Sequence, residues 1–542
     1  MRILVTVVLS ILIAGSSVRA QHAQHEHHPM AGSGERLGSV EFPVSCAPEV
    51  RAQFERGVAL LHSFWYDEAE RTFRAVAAAD RRCGMAWWGV AMAQYHPLWT
   101  PPSPEDLARG RKAANEAKAA GAKTPRERAY IDAIRAFYFP ASADHPTRAR
   151  AYEKAIEELV RRHPDDDEAK IFHALMLIEH GMSMPNDKTY TWQKKAAASL
   201  NAMLEKHPEH PGIAHYVIHS FDYPALAHLA VDAAHAYSKI APSSAHALHM
   251  PSHIFVRLGM WADTIDSNRA SAAAGIANVR TPGVTSWDSL HAWDYLAYAH
   301  LQRGEDAEVE ALMREMREVS KLDANSFAAY YALAAVPARY ALERRDWAGA
   351  AALEVEPAGL AWEKIPYAEA LTAFARAVGA ARRGEVGRAR EDLARLGELR
   401  GRLESANNAY WAEQVRITEL LAEGWIARAE GRDDDALARL RSAADREDAT
   451  EKSPVTPGAV VPAREMLGDL LLELGRPSDA LAEYERSLAD NPNRLNGLTG
   501  AARAAQLAGA RAKALDYYAR VGKLLGGAGA GTETRVGARS GS

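Results

Sequence analysis

The sequence predicts an all-α protein, a right-handed α-solenoid of stacked helical hairpins, on three observations. Histidine pairs at i,i+4 spacing occur in His215-Tyr-Val-Ile-His219 and again in His249-Met-Pro-Ser-His253, the second pair 34 residues after the first. That interval is the length of one helix–turn–helix unit in a stacked array. Ala480 and Tyr484 recur after the same interval as Ala514 and Tyr518. Strand-forming runs of Val, Ile and Thr are almost confined to the first twenty residues, whereas Ala, Leu, Glu and Arg dominate the remainder, which favours helix. At 542 residues the chain is too long for one ordinary core, and a repeat array is one solution.

From the beginning of the chain, Arg2, the mostly apolar stretch from Ile3 to Ala14 and the small residue closing Val18-Arg19-Ala20 read as an export signal, 1–20, with a mature chain starting at Gln21. The expected location is periplasmic or secreted. Residues 21–45 form a Gly/His-rich leader containing His22, His25, His27 and His28, whose low hydrophobicity predicts disorder and whose histidines offer loose metal capture. Cys46 and Cys83 are the only cysteines, and an oxidising compartment favours a disulfide between them.

The first hairpin is marked by Gly57, Leu60, Ala69 and Phe73, and Trp88-Gly89 opens the next. Gly384 with Ala389, and Gly431 with Ala436 and Leu440, mark turns farther on. Leu467-Gly468, Leu471, Gly475, Ala480, Tyr484 and Pro492 give the clearest unit, in which small residues let two helices approach and a large one fills the groove between them. The predicted organisation is an N-terminal solenoid over 46–310 carrying the histidine pairs, a C-terminal solenoid over 311–525 and a disordered tail, 526–542. No stretch after the signal is apolar for long enough to span a membrane.

On these motifs the chain resembles the tetratricopeptide repeat (TPR) superfamily over nearly all of its mature length. It is also similar to exported bacterial repeat proteins that carry His62-Ser-Phe-Trp-Tyr-Asp-Glu-Ala and His246-Ala-Leu-His-Met-Pro-Ser-His-Ile-Phe, a resemblance that bears on architecture more than on function. The resemblance implies TPR-type hairpins whose first helices line a concave groove. It places His215, His219, His246, His249 and His253 on groove positions, His291, Asp294 and Tyr298 on the matching positions of the following unit, and His62 in the groove of the first.

Imidazoles on adjacent first helices lie within reach of a shared ion, because packed helices are about 8–10 Å apart. An all-nitrogen site suits a transition metal, copper or zinc before iron. Asp222, Asp294 and Glu179 are the carboxylates available to orient imidazoles or complete the coordination, and His173 and His180 extend the same wall. His145, His163, His207, His228 and His235 read as structural. Aromatic groups around Trp87, Trp88, Tyr95 and Trp99, and around Trp287, Trp293 and Tyr295, serve mostly as core.

Neither a nucleotide fingerprint, a haem-attachment motif nor a hydrolase triad is present. A formal charge of −5, from 65 basic and 70 acidic residues, gives no reason to expect nucleic acid. The leading expectation is a binding protein whose groove takes a peptide, a partner or a small ligand beside a metal. A metal-dependent enzyme of hydrolase or oxidase/oxygenase type, and a metal storage or delivery protein, stay open as alternatives.

Overall fold

The computed structural model describes residues 34–98, 101–139, 143–184, 187–279, 281–324 and 326–526. The export signal, His22, His25, His27, His28, Trp99 and the tail after Gly526 lie outside the described residues. Helices follow one another from Arg51–His62 to Arg511–Leu524, and among the described residues the only β contact is an isolated bridge between Thr285 and Leu322. Each helix packs on its chain neighbour. The helices Trp287–Gln302, Phe327–Glu343, Pro366–Arg382 and Ala409–Ala429 also pack each on the next of this set, skipping the helix between, which is the contact pattern of stacked hairpins.

The hairpin turns explain the spacing of the glycines. Gly304 has a φ of +68°, its N–H returns to the Leu301 carbonyl, and the Glu305 N–H returns to His300, the left-handed close that glycine adopts without a Cβ clash. Gly384, Gly431 and Gly475 close their hairpins in the same way. Phe64, Arg345 and Asn407 hold the equivalent place with φ between +54° and +58°, a conformation that costs a residue with a Cβ about 1–2 kcal/mol.

Close approach decides the other glycines. A Cβ on Gly468 or Gly500 would come within 2.8 or 2.3 Å of the Tyr484 ring, and Phe73 sits as tightly against Gly57 and Gly89. The small and large positions read from the sequence are thus the contact points between helices. The buried apolar residues form two clusters that meet inside the helix Pro251–Leu258, at Phe255 and Val256.

The C-terminal repeats return onto the middle ones. The Trp261 indole donates to the Asn493 carbonyl at 2.8 Å, and the Leu495 N–H donates to the Gln302 side chain at 3.0 Å. Arg494, fully buried, pairs with Glu465 at 2.7 Å and Glu343 at 3.1 Å and donates to the Tyr298 hydroxyl at 2.8 Å. Buried ions of this kind are tolerated because each charge has an opposite partner. Residues 450–462, between the helices Asp433–Ala449 and Ala463–Glu473, run alongside: Tyr295 donates to the Pro454 carbonyl at 3.2 Å and Tyr190 to Glu451 at 3.2 Å. An open groove over this region, as the repeat pattern implies, is therefore not what forms. The chain fills it with its own residues.

At the opposite end, Cys46 and Cys83 form a disulfide with a Cα–Cα separation of 4.9 Å. It fixes the segment before the first helix, whose Phe42 ring packs against Phe54, Trp88 and Tyr130. Closing a loop across 37 residues of separation removes unfolded-state entropy worth about 3–4 kcal/mol. Reduction with dithiothreitol is expected to lower the urea midpoint of the protein. A Cys46→Ala/Cys83→Ala variant should start at the lower midpoint and not respond to the reductant; equal midpoints in all forms would show that packing alone secures the segment.

Candidate metal centre

Four helices bring six histidines together, five of them buried and His219 partly so. The helix Pro211–Phe221 carries His215 and His219, the helices Ala245–His249 and Pro251–Leu258 carry His246, His249 and His253, and the helix Trp287–Gln302 carries His291. The break at Met250 follows from Pro251, which has no N–H to continue the ladder. The Ala245 and Leu248 carbonyls at that break take hydroxyl hydrogens from Ser271 and Ser267.

The six rings divide into two adjacent triads, His215/His219/His246 and His249/His253/His291. In each, one nitrogen per ring lies within 4.8 Å of the others. The His215 Nε2 is 3.1 Å from the Nε2 atoms of both His219 and His246, and the Nε2 atoms of His249 and His253 are 3.0 Å apart. Ring centroids of His219 and His253 lie 6.4 Å apart, and those of His246 and His249 6.5 Å apart, so the triads adjoin.

Hydrogen bonds on the far side of three of these rings fix their tautomers. The His215 Nδ1–H donates to the His62 carbonyl at 2.6 Å. The His249 Nδ1–H donates to the Asn268 side-chain oxygen at 2.6 Å, and Asn268 is itself oriented by donating its amide to the Thr264 carbonyl. The His253 Nδ1–H donates to Asp222 at 3.0 Å. A neutral imidazole has one N–H, so each of these Nε2 atoms presents a lone pair. In the second triad two lone pairs confront each other at 3.0 Å.

Protonation would relieve that repulsion, and burial opposes it. Burial, then the neighbouring histidines, hold His215, His246 and His249 well below the ordinary histidine range. Burial and the proximity of His253 bring His219 and His291 each down to about 3. His253 is lowered by burial as well, although Asp222 partly offsets the effect. Burial alone would raise Asp222, but Lys452 and Arg257 hold its carboxylate far below the usual range. Burial and Arg257 in turn pull the Lys452 ammonium down to about 8.

Phe64 roofs the first triad. Its ring centroid is 4.4 Å from that of His215 and stacks at 5.5 Å on both His219 and His246. It occupies a turn position that glycine fills in other hairpins, so backbone strain is accepted where an aromatic ring covers the histidines. Tyr295 plays the matching part beside the second triad, 4.6 Å from His249 and 5.4 Å from His253.

A third cluster, His62/Glu168/His210, is chemically different. The Nε2–H groups of His62 and His210 donate to Glu168 at 3.0 and 2.8 Å, the Tyr216 hydroxyl donates to His62 Nδ1 at 2.9 Å, and the Gly212 N–H donates to His210 Nδ1 at 3.1 Å. Every ring nitrogen there has a partner. This cluster braces the wall behind the first triad, with the His62 carbonyl as its point of contact.

The remaining residues singled out in the sequence lie elsewhere. Glu179 accepts from Tyr95 at 2.6 Å and from His145 at 3.0 Å, Asp294 pairs with Arg339, and Tyr298 sits in the Arg494 contact. His180 meets the Trp192 edge, and His173 lies near Glu157 and Lys195. None of these belongs to a triad. Sequence reasoning missed Glu168, His210, Asn268 and Lys452; of these only His210, which precedes Pro211 and caps its helix, lay close to a residue already marked.

No family model and no curated protein matches the chain. Among solved structures, it is similar to the human IFIT1 dimer with PPP-AAAA at 12% identity, covering 87% of this chain and 89% of that one with a TM-score of 0.37. The human IFIT1 dimer with m7Gppp-AAAA is similar at 13% identity, covering 82% and 90%, with a TM-score of 0.35.

The depressed histidines give folding stability a definite pH dependence. Unfolded histidines titrate near 6.5, whereas His219 and His291 in the fold do so near 3. Within that window the unfolded chain binds protons that the native chain does not, so stability is lost as pH falls. Metal-free protein is expected to show a declining urea midpoint between about pH 7 and pH 5, with a shallower decline in a His219→Gln/His291→Gln variant. A midpoint independent of pH over this interval would mean that the rings titrate as they do in solvent.

Proposed function

We propose that the protein is an exported metal-binding α-solenoid that holds transition-metal ions at its two adjacent histidine triads. One observation carries the reading: the Nε2 lone pairs of His249 and His253 confront each other at 3.0 Å in a buried setting, each fixed by a donor bond to Asn268 or Asp222. A cation between them converts the repulsion into two bonds. An ion about 2.1 Å from both nitrogens would see this pair at about 90°, the cis angle of an octahedral or square-based site. The first triad offers the same spacing.

All-imidazole donors favour copper or zinc, then iron. Export accords with the disulfide between Cys46 and Cys83. Asp222, Asn268 and the His62 carbonyl orient the ligands from behind, the usual arrangement around metal-bound histidine. A peptide bound in the groove is the weaker reading over this stretch, because residues 450–462 already pack there. A metal-dependent enzyme is the second reading, supported by three ligands per site where a closed structural site has four.

The test is metal content. Full-length protein incubated with Cu(II), Zn(II) or Fe(II) and desalted is expected to retain two equivalents of one of them by elemental analysis. His249→Ala/His253→Ala should retain at most one with far-UV helicity nearly unchanged, and Asp222→Asn should weaken affinity about 10–100-fold. Protein that retains none of the three metals would overturn the reading.

A further inference from the structure

The two triads meet along an edge. Ring pairs face each other across their boundary at two places, His219/His253 at 6.4 Å and His246/His249 at 6.5 Å between centroids. Neighbouring rings inside a triad are only slightly closer, with His215 and His246 at 5.0 Å and His249 and His253 at 5.0 Å. No layer of other side chains fits between rings so spaced. An ion about 2.1 Å from its nitrogens stands roughly 3 Å from the centroids of its rings. Two ions in these triads therefore share one enclosure, the setting of a two-metal centre, whose ions lie about 3.5–4 Å apart. Three imidazoles per ion leave a coordination position free on each.

Charge selects the ligand. Neither triad includes a carboxylate, and Asp222 and Asp294 are engaged, the first with His253 and Arg257, the second with Arg339. With neutral imidazoles as the only protein ligands, two divalent ions would leave four positive charges in a buried setting, at a cost of several kcal/mol per ion. Two Cu(I) ions leave two. Dioxygen can oxidise that pair without raising the charge of the enclosure. Each Cu(I) loses one electron, the O–O π bond breaks, two Cu–O bonds form, and the peroxide dianion offsets the two charges the copper gains. No proton is taken up and no further reductant is consumed.

We infer, resting on the metal reading above, that the two triads form one dinuclear copper centre that binds dioxygen between its ions. His215, His219 and His246 hold one ion, and His249, His253 and His291 hold the other. Phe64, 4.4 Å from His215, and Tyr295, 4.6 Å from His249, line the enclosure with aromatic surface. That lining suits a small apolar gas and keeps out the water that would protonate and release the peroxide.

Dioxygen uptake by copper-loaded protein is the test. Full-length protein is loaded anaerobically with Cu(I), its copper content is confirmed by elemental analysis, and it is then exposed to oxygenated buffer. The expected result is one dioxygen taken up per two copper, an intense near-ultraviolet charge-transfer band, and a copper EPR signal far below the metal content, because spins on bridged ions pair. Emptying either triad, by His219→Ala/His246→Ala or by His249→Ala/His253→Ala, should leave one copper and abolish the uptake and the band entirely, where independent sites would lose half. Wild-type stoichiometry and EPR intensity decide the matter even where a variant fails to fold. Two retained copper ions that take up no dioxygen, or that oxidise to Cu(II) with full EPR intensity, overturn the dinuclear inference alone, as does half of the uptake surviving in either variant. Retention of Zn(II) or Fe(II) but no copper overturns this inference and keeps the metal reading; retention of none of the three overturns both.

Discussion

The confrontation of imidazole lone pairs at the centre of the solenoid is the constraint on which the rest of the structure depends. Five buried rings and the partly buried His219 sit among helices that could have been filled with leucine and alanine at lower polar cost. The far-side donors of His215, His249 and His253 are paired with a carbonyl at His62, an amide at Asn268 and a carboxylate at Asp222. Those bonds orient the rings and commit their remaining nitrogens to face inward. In the second triad this leaves the inward nitrogens of His249 and His253 facing each other.

The repeat supplies the placement. Adjacent hairpins put equivalent residues on neighbouring helices, so His215 and His219 in one unit meet His246 from the next, and His249 and His253 meet His291 from the one after. A stacked array exposes its inner face, where imidazoles would exchange freely with water and titrate near their ordinary value. Here the return of residues 450–462 and the Arg494 contacts close that face. Phe64, held at a strained turn, covers the first triad. The same enclosure depresses the histidine pKa values and shields the rings from water.

Much of this was legible in the sequence, and the limits have physical causes. Spacing of 34 residues located the five central histidines because periodic placement survives projection onto a linear chain, and the turn at Gly304 carried the register forward to His291. The small and large residues of each hairpin announced the close contacts at Gly57, Gly468 and Tyr484. Lys452 and Asn268 gave no such signal: the first sits in an irregular connection far along the chain, the second on the outer helix of a hairpin, and neither repeats. Nor does a local pattern say where a terminal arm will dock, so the groove read as open. Glu179 and Asp294 looked available because charge is visible in a sequence and prior engagement, with Tyr95 and Arg339, is not.

The His62/Glu168/His210 cluster shows why density of histidines is by itself a weak guide to a metal. Its ligand atoms are as close together as those of the triads, yet a carboxylate lies between two imidazole N–H groups, and a hydroxyl and a backbone N–H serve the opposite nitrogens. An ion entering there would have to displace bonds already made and strip two protons. In the His249/His253 pair the order is reversed, since the protons point outward to fixed acceptors and the inward nitrogens have only each other. The two clusters differ in which side of the ring is satisfied, and that difference, more than proximity, assigns one to bracing the wall and the other to binding.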